Sequence, residues 1–196
     1  LKAGLLEKGI FEEAPVEVIK ELLQGKGLNY GQLPKGLIKF HAYPEGARTP
    51  VEEHLVEGCL YAADDQGRVH IHFTISAHHH ASFDRHLKEV RKGYEEAYGK
   101  IIEITLSEQK TATDIIAVDL KNDPFRKDDG SLLFRPAGHG ALLENLNEID
   151  ADLIFIKNID NISIDRYPSE TIEHKKILGG KLMEVQAKVF SLLKEL

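Results

Sequence analysis

Apolar residues recur along this chain with two alternating periods. Between residues 2 and 24 they fall at Leu5, Leu6, Ile10 and Phe11, then at Val18, Ile19, Leu22 and Leu23. That three-to-four spacing marks an amphipathic helix. Pro15 divides it, because proline has no N–H and clashes with the preceding turn, so a second helix is predicted from Val16 onward. "GKGLNYGQLPKG", 25–36, is a glycine-dense loop without the spacing of a Walker phosphate loop. "GLIKFH" predicts a short strand and "AYPEGART" a loop. Pro50, favourable in a first helical turn, opens the helix "PVEEHLVEGCLYAA". In "RVHIHFTIS" the period drops to two: Val69, Ile71, Phe73 and Ile75 share one face, His70, His72, Thr74 and Ser76 the other.

The alternation continues. "HHASFDRHLKEVRKGYEEAYG" predicts a helix, "IIEITL" a strand, "TDIIAVD" another, and "KNDPFRKDDG" has turn chemistry throughout. "SLLFRP" is a short extended segment and "ALLENLNEI" a helix. "DLIFIKNID", apolar and rich in β-branched residues, is expected to be a central strand. Residues 169–195 form a long amphipathic helix, with a bend expected at Gly179-Gly180. Its pattern fits packing on a sheet and packing on a second copy alike, so it fixes no oligomeric state. Strands alternating with helices predict an α/β fold, a mainly parallel or mixed sheet flanked by helices, in a single domain spanning 1–196.

Bulk properties narrow the function. The chain has 196 residues and a net charge of −7, which argues against a broad nucleic-acid footprint. The single cysteine, Cys59, excludes an intrachain disulfide framework and suits a reducing, cytoplasmic setting. No apolar run approaches the roughly 20 residues that span a membrane. The sequence starts without Met and inside a helical pattern, which reads as a fragment of a longer protein.

Ligands of open α/β sheets bind beyond the carboxyl ends of the strands. The polar residues expected there are His41, Ser76, 107–110, Asp119 and Asp160-Asn161. An acid released at the end of an apolar strand suits Mg²⁺, which takes one or two carboxylates plus substrate phosphates. Asp160 is the candidate, and a turn-capping role is its structural alternative. "PAGHG" places His139 between Gly138 and Gly140, where glycine lets a ligand approach the backbone. Lys35, in a Pro-Lys-Gly context, could neutralise phosphate.

In this order the segments resemble sugar-nucleotide pyrophosphorylases. "PKGLIKFH" with "TPVEEHLVEGCLYA" resembles their lysine segment and following helix, and "VHIHFTISAHHHASFDRHL" their next strand, turn and helix. "SEQK" resembles their base-reading segment, "RPAGHGALLENL" their Pro-x-Gly-Asn-Gly-Gly turn with His139 in place of Asn, and "FIKNIDN" their Val-Asp-Asn. Almost the whole chain resembles the bacterial family called domain of unknown function 4301, through "EKGIF", "GKGLNYGQLPKGLIKFH", "SEQK", "DGSLLFRPAGHGALLENLN" and "DADLIFIKNIDN".

The pyrophosphorylase resemblance implies a nucleotide-diphospho-sugar transferase (glycosyltransferase-A-like) fold and transfer of a nucleotidyl group from a nucleoside triphosphate to a sugar-1-phosphate. It implies catalytic Lys35 and Asp160, with Asp160 holding Mg²⁺. It assigns substrate contacts to Gln109, Lys110, Arg135, Gly138, His139, Gly140 and Asn161. The expected partners are small molecules, a nucleotide and a sugar phosphate, with neither nucleic acid nor membrane. The Gly-rich, Arg-containing loop of those enzymes has no counterpart in residues 1–33, so the fragment reading places it upstream, and the fragment alone is then expected to be inactive. Two alternatives stand beside this reading. One is a sugar-nucleotide-binding protein without catalysis. The other is a zinc hydrolase using His70, His72 and one of His78, His79 and His80, which requires the chain to fold back on itself.

Overall fold

A computed structural model describes residues 15–164 and 168–195. Helix α1 (Pro15–Leu23) starts at the predicted proline; the helix expected before it lies outside the described residues. The described chain is mixed α/β, with three two-stranded sheets. Its described residues divide into two compact units, one drawn from 15–71, 81–103, 153–164 and 168–195, the other from 72–80 and 104–152.

In the first unit, β1 (His41–Tyr43) and β2 (Gly46–Arg48) make an antiparallel hairpin in register His41 to Arg48. The strand expected in "GLIKFH" is instead a 3-10 turn, Lys35–Leu37, followed by extended chain. Pro34 fixes that turn's entry and Gly36 is buried, so packing decides the conformation. Helix α2 (Pro50–Tyr61) carries a full capping box, with Thr49 and Glu52 each accepting the other's backbone N–H. Its buried residues include Val51, Leu55, Val56 and Cys59, which centre the core on this helix.

Strands β3 (Arg68–Ile75) and β4 (Ile101–Glu108) follow the predicted alternation and flank helix α3 (His80–Tyr98). The Ile101 N–H bonds the Gly67 carbonyl and the Gln109 N–H the Ile75 carbonyl. Both links advance along the chain by the same interval, as parallel pairing requires. The division between units passes through both strands.

In the second unit, "TDIIAVD" forms only β5 (Ile115–Ile116), antiparallel to β6 (Phe134–Arg135). Pairing continues through isolated bridges, Val118 to Pro124 and Arg126 to Leu132. Asp119 interrupts it by accepting the N–H groups of Lys121 and Asp123, an Asx-type turn next to Asn122 at φ 67°. Helix α4 (Leu143–Asn147) is preceded by a 3-10 turn, His139–Leu142.

One expectation fails at the end of the chain. "DLIFIKNID" is extended but belongs to no strand among the described residues, so it is not the expected central strand. Its side chains lie along helices rather than in a sheet. Phe155 meets the Tyr61 ring edge-on at 5.1 Å, Lys157 reaches Glu57, and the Ile159 carbonyl accepts from His54. Residues 155, 157 and 159 thus match 61, 57 and 54 of α2: a period of two laid against a helical stripe. Helix α5 (Pro168–Lys194) runs through Gly179-Gly180 without interruption. Gly179 serves close packing: a Cβ there would stand 3.1 Å from Phe155 and 3.3 Å from Leu153. No helix among the described residues is long and apolar enough to cross a membrane.

Candidate functional site

The 3-10 turn at Lys35 and the end of the extended segment meet inside the first unit. Lys35 Nζ donates to Asp160 Oδ2 at 2.9 Å, across 125 residues of sequence. Both side chains are accessible, 73% and 45% exposed. A surface ion pair of this kind contributes only about 0–1 kcal/mol to stability. What fixes the geometry lies beneath it. Gly36, the next residue, admits Phe83, Ile159 and Val51 so closely that an added Cβ would lie 2.9, 3.3 and 3.3 Å from them. The backbone carrying Lys35 is thereby pressed against the residue that precedes Asp160.

From the other side, His54 Nε2 donates to the Ile159 carbonyl at 3.1 Å. Burial pushes the His54 pKa below its ordinary value, overriding the opposite pull of that bond, and keeps the ring neutral. One turn further along α2, Glu57 receives Lys157 Nζ on both oxygens at 2.7 and 2.6 Å and the Tyr61 hydroxyl at 2.8 Å. Burial, reinforced by the Glu57 charge and hydrogen bond, raises the Tyr61 pKa, so the phenol remains a donor. Asn161 is exposed, and its N–H closes a turn onto the Asn158 carbonyl at 3.0 Å.

The remaining predicted residues fall in the second unit. The Gln109 amide group donates to Thr113 Oγ1 at 3.4 Å. Lys110 is committed to acids, bonding Glu148 directly and lying 3.4 Å from Glu144. The hydrogen bond to Glu148 is the main cause of its raised pKa. Arg135, in β6, is exposed and has no ion-pair partner among the described residues. Gly138, His139 and Gly140 are exposed, with the Gly138 carbonyl accepting from Ala141 at 3.0 Å. A Cβ added at either glycine would meet nothing within 4 Å.

The zinc donors are arranged differently from what a hydrolase needs. The His72 ring nitrogens lie 2.7 and 2.8 Å from the Thr105 and Ser107 hydroxyls. Those of His70 face Glu103 and Asp64 at 3.3 and 3.8 Å. Among the described residues no three His, Cys, Asp or Glu side chains are grouped to hold a metal ion.

Sequence reasoning missed the buried acids of α2. Glu53 is 2% exposed, yet it accepts from His41 Nδ1 at 2.8 Å and Tyr43 at 2.6 Å, with Arg48 3.6 Å away. Burial raises the Glu52 pKa, but hydrogen bonds from His86 and Thr49 outweigh it and bring the value down to about 2. The available signal was the composition of the hairpin, where His41, Tyr43 and Arg48 occur within eight residues of one another just before an acidic helix.

The chain matches none of the curated proteins and none of the solved structures with which it was compared. The family model described as Domain of unknown function (DUF4301) matches residues 4–196. That match spans nearly the entire sequence, and the chain belongs to this family.

Proposed function

We propose that this chain is the phosphate- and sugar-binding part of a sugar-1-phosphate nucleotidyltransferase with a nucleotide-diphospho-sugar transferase type of fold. One observation carries the reading: a lysine and an aspartate far apart in sequence are held together, accessible, on a base fixed by Gly36, His54 and Glu57. In nucleotidyl transfer a sugar-phosphate oxygen forms a bond to the α-phosphorus as the bond to pyrophosphate breaks. The protein's task is to position both reactants and to offset growing negative charge. Lys35 is assigned the phosphate oxygens as a point cation.

Asp160 suits Mg²⁺. It is a half-exposed carboxylate that already holds a cation, the Lys35 ammonium, and Mg²⁺ bound chiefly through substrate phosphates needs few protein ligands. When bound, the ion neutralises phosphate charge. Within the second unit, Gln109 is assigned the base edge, and Gly138, His139 and Gly140 the sugar or base, where both glycines leave the backbone open. Asn161 and Arg135 are assigned further polar contacts. Lys110 ranks below them because Glu144 and Glu148 already neutralise it.

The test is pyrophosphate release by the full-length protein from a nucleoside triphosphate and a hexose-1-phosphate. Asp160→Ala is expected to lower turnover at least ~100-fold, the scale of losing one electrostatic group in an active site. Turnover within a few-fold of the parent removes Asp160 from the chemistry. Sugar-nucleotide binding without any release, in the unaltered protein, selects the non-catalytic binding role.

A further inference from the structure

Alternation along β3 and β4 puts His72 and Thr74 on one face beside Thr105 and Ser107, all within the second unit. His72 Nε2 lies 2.8 Å from Ser107 Oγ, and Nδ1 lies 2.7 Å from Thr105 Oγ1. Thr74 Oγ1 is 3.2 Å from the same serine oxygen. From α4, Asn145 Nδ2 donates to Ser107 Oγ at 2.9 Å and to the Glu108 carbonyl at 2.8 Å. A carbonyl can only accept, so Glu108 fixes which end of the amide faces the serine. The other end goes without a donor: Asn145 is 2% exposed, and its Oδ1 is buried with no hydrogen bond among the described residues. A buried acceptor in that state is uncommon, and here it follows from aiming the N–H groups at Ser107 and Glu108. Burial lowers the His72 pKa, so the ring is a neutral base at neutral pH. Ser107 and His72 are half-buried rather than sealed, which leaves the hydroxyl open to a reagent.

We propose that Ser107 is a nucleophile for acyl transfer from carboxylic esters, with His72 as its general base and Thr105 positioning the ring. A hydroxyl within hydrogen-bond reach of a base that a third group holds is the arrangement that activates serine. With the ring proton on Nδ1 and donated to Thr105, Nε2 accepts the Ser107 O–H, while Ser107 Oγ accepts from Asn145 and Thr74. In the reaction Ser107 Oγ bonds to the ester carbonyl carbon as its proton passes to His72 Nε2. The carbon–alkoxide bond then breaks, and the alcohol leaves with that proton. Water, giving a proton to the same Nε2, cleaves the acyl-serine, releases the acid and returns the hydroxyl. Once Ser107 Oγ is bonded to carbon it is a poorer acceptor, which frees the Asn145 N–H to turn to the carbonyl oxygen as charge grows there. The surroundings select a neutral electrophile over a phosphate ester. Glu108 adjoins Ser107, and Lys110 is already neutralised by Glu144 and Glu148. The site shares no residue with the Lys35–Asp160 pair and stands or falls apart from nucleotidyl transfer.

The test treats the full chain with a fluorophosphonate, which bonds a nucleophilic serine oxygen to phosphorus and loses fluoride, and locates the modified serine by mass spectrometry of peptides. Ser107 is expected to be labelled at least ~100-fold faster than the exposed Ser76, the lower end of what a general base contributes. His72→Gln keeps polar groups beside both hydroxyls but removes the base, and should slow labelling about 10²–10⁴-fold with unchanged circular dichroism. Thr105→Val should slow labelling and Thr105→Ser restore it, a recovery that a space-filling role for Thr105 would not produce. Labelling of Ser107 no faster than Ser76 in the parent chain overturns the proposal. So does a folded His72→Gln chain that is labelled at the parent rate.

Discussion

Replacing Gly36 by alanine tests how the Lys35–Asp160 pair is built. The new methyl carbon would sit 2.9 Å from Phe83 Cζ, a distance that requires one of the two to move. Phe83 is 3% exposed, so its ring has no solvent to retreat into. Ile159 and Val51, at 3.3 Å, must each yield a few tenths of an ångström as well. Overpacking a closed core by one such group costs about 1–3 kcal/mol. Three neighbours resisting together place Gly36→Ala near the middle, about 2 kcal/mol. For a chain of this length each kcal/mol moves the melting temperature by roughly 2–4 °C, so the expected loss is about 4–8 °C. Urea unfolding should show the lowered midpoint with an unchanged slope. The displacement falls between the lysine turn and Ile159, so affinity for sugar nucleotide should drop as well. A variant as stable as the parent would refute the argument that close backbone approach at Gly36 sets the spacing of Lys35 and Asp160.

Gly138→Ala and Gly140→Ala form the contrast: with open space at both positions, each should change stability by less than about 0.5 kcal/mol while weakening sugar-nucleotide binding in a titration. Lys157→Met should cost about 3 kcal/mol in urea, because it strands the buried Glu57 carboxylate with only Tyr61 as donor, and adding Glu57→Gln should recover much of the loss. The depressed His54 pKa sets a pH dependence. The folded state takes up this proton less readily than the unfolded state, so the contribution is complete above the ordinary value of 6.5 and lost as the pH falls below it. The urea midpoint should therefore decline from neutral to mildly acidic pH, and less steeply in His54→Gln; equal slopes would assign the decline to other groups.

Local patterning located most helices and the long strands because each of those signals is complete within its own segment. The capping box at Thr49, the alternation of "RVHIHFTI" and the proline that opens α1 need no distant partner to be read. "DLIFIKNID" misled because β-branched apolar composition describes a buried extended chain, whatever buries it. Here the neighbours are α2 and α5 rather than strands. "GLIKFH" misled for a related reason: Gly36 answers to Phe83 and Ile159, neither of which its local sequence reveals. Lys35 was singled out by its Pro-Lys-Gly context and Asp160 by its place at the end of an expected strand that does not form, and their meeting depends on long-range packing. Glu53 and Glu57 were illegible, since an acid at a core position reads as a solvated face until its partners are known.

The pairing of residues 155, 157 and 159 with 61, 57 and 54 works like a vernier. Extended chain advances about 3.3 Å per residue and a helix about 1.5 Å, so three rungs accumulate a mismatch of roughly 3 Å. Flexible side chains absorb that much. Contact with α2 resumes beyond Asp160 and Asn161, where Ile162 is buried and with Ile164 lines a pocket beside Glu53, Val56 and Glu57, so the acid stands on an exposed turn between two stretches that both lie against the helix. A one-residue insertion on either scale would throw the rungs out of step and carry Asp160 out of reach of Lys35.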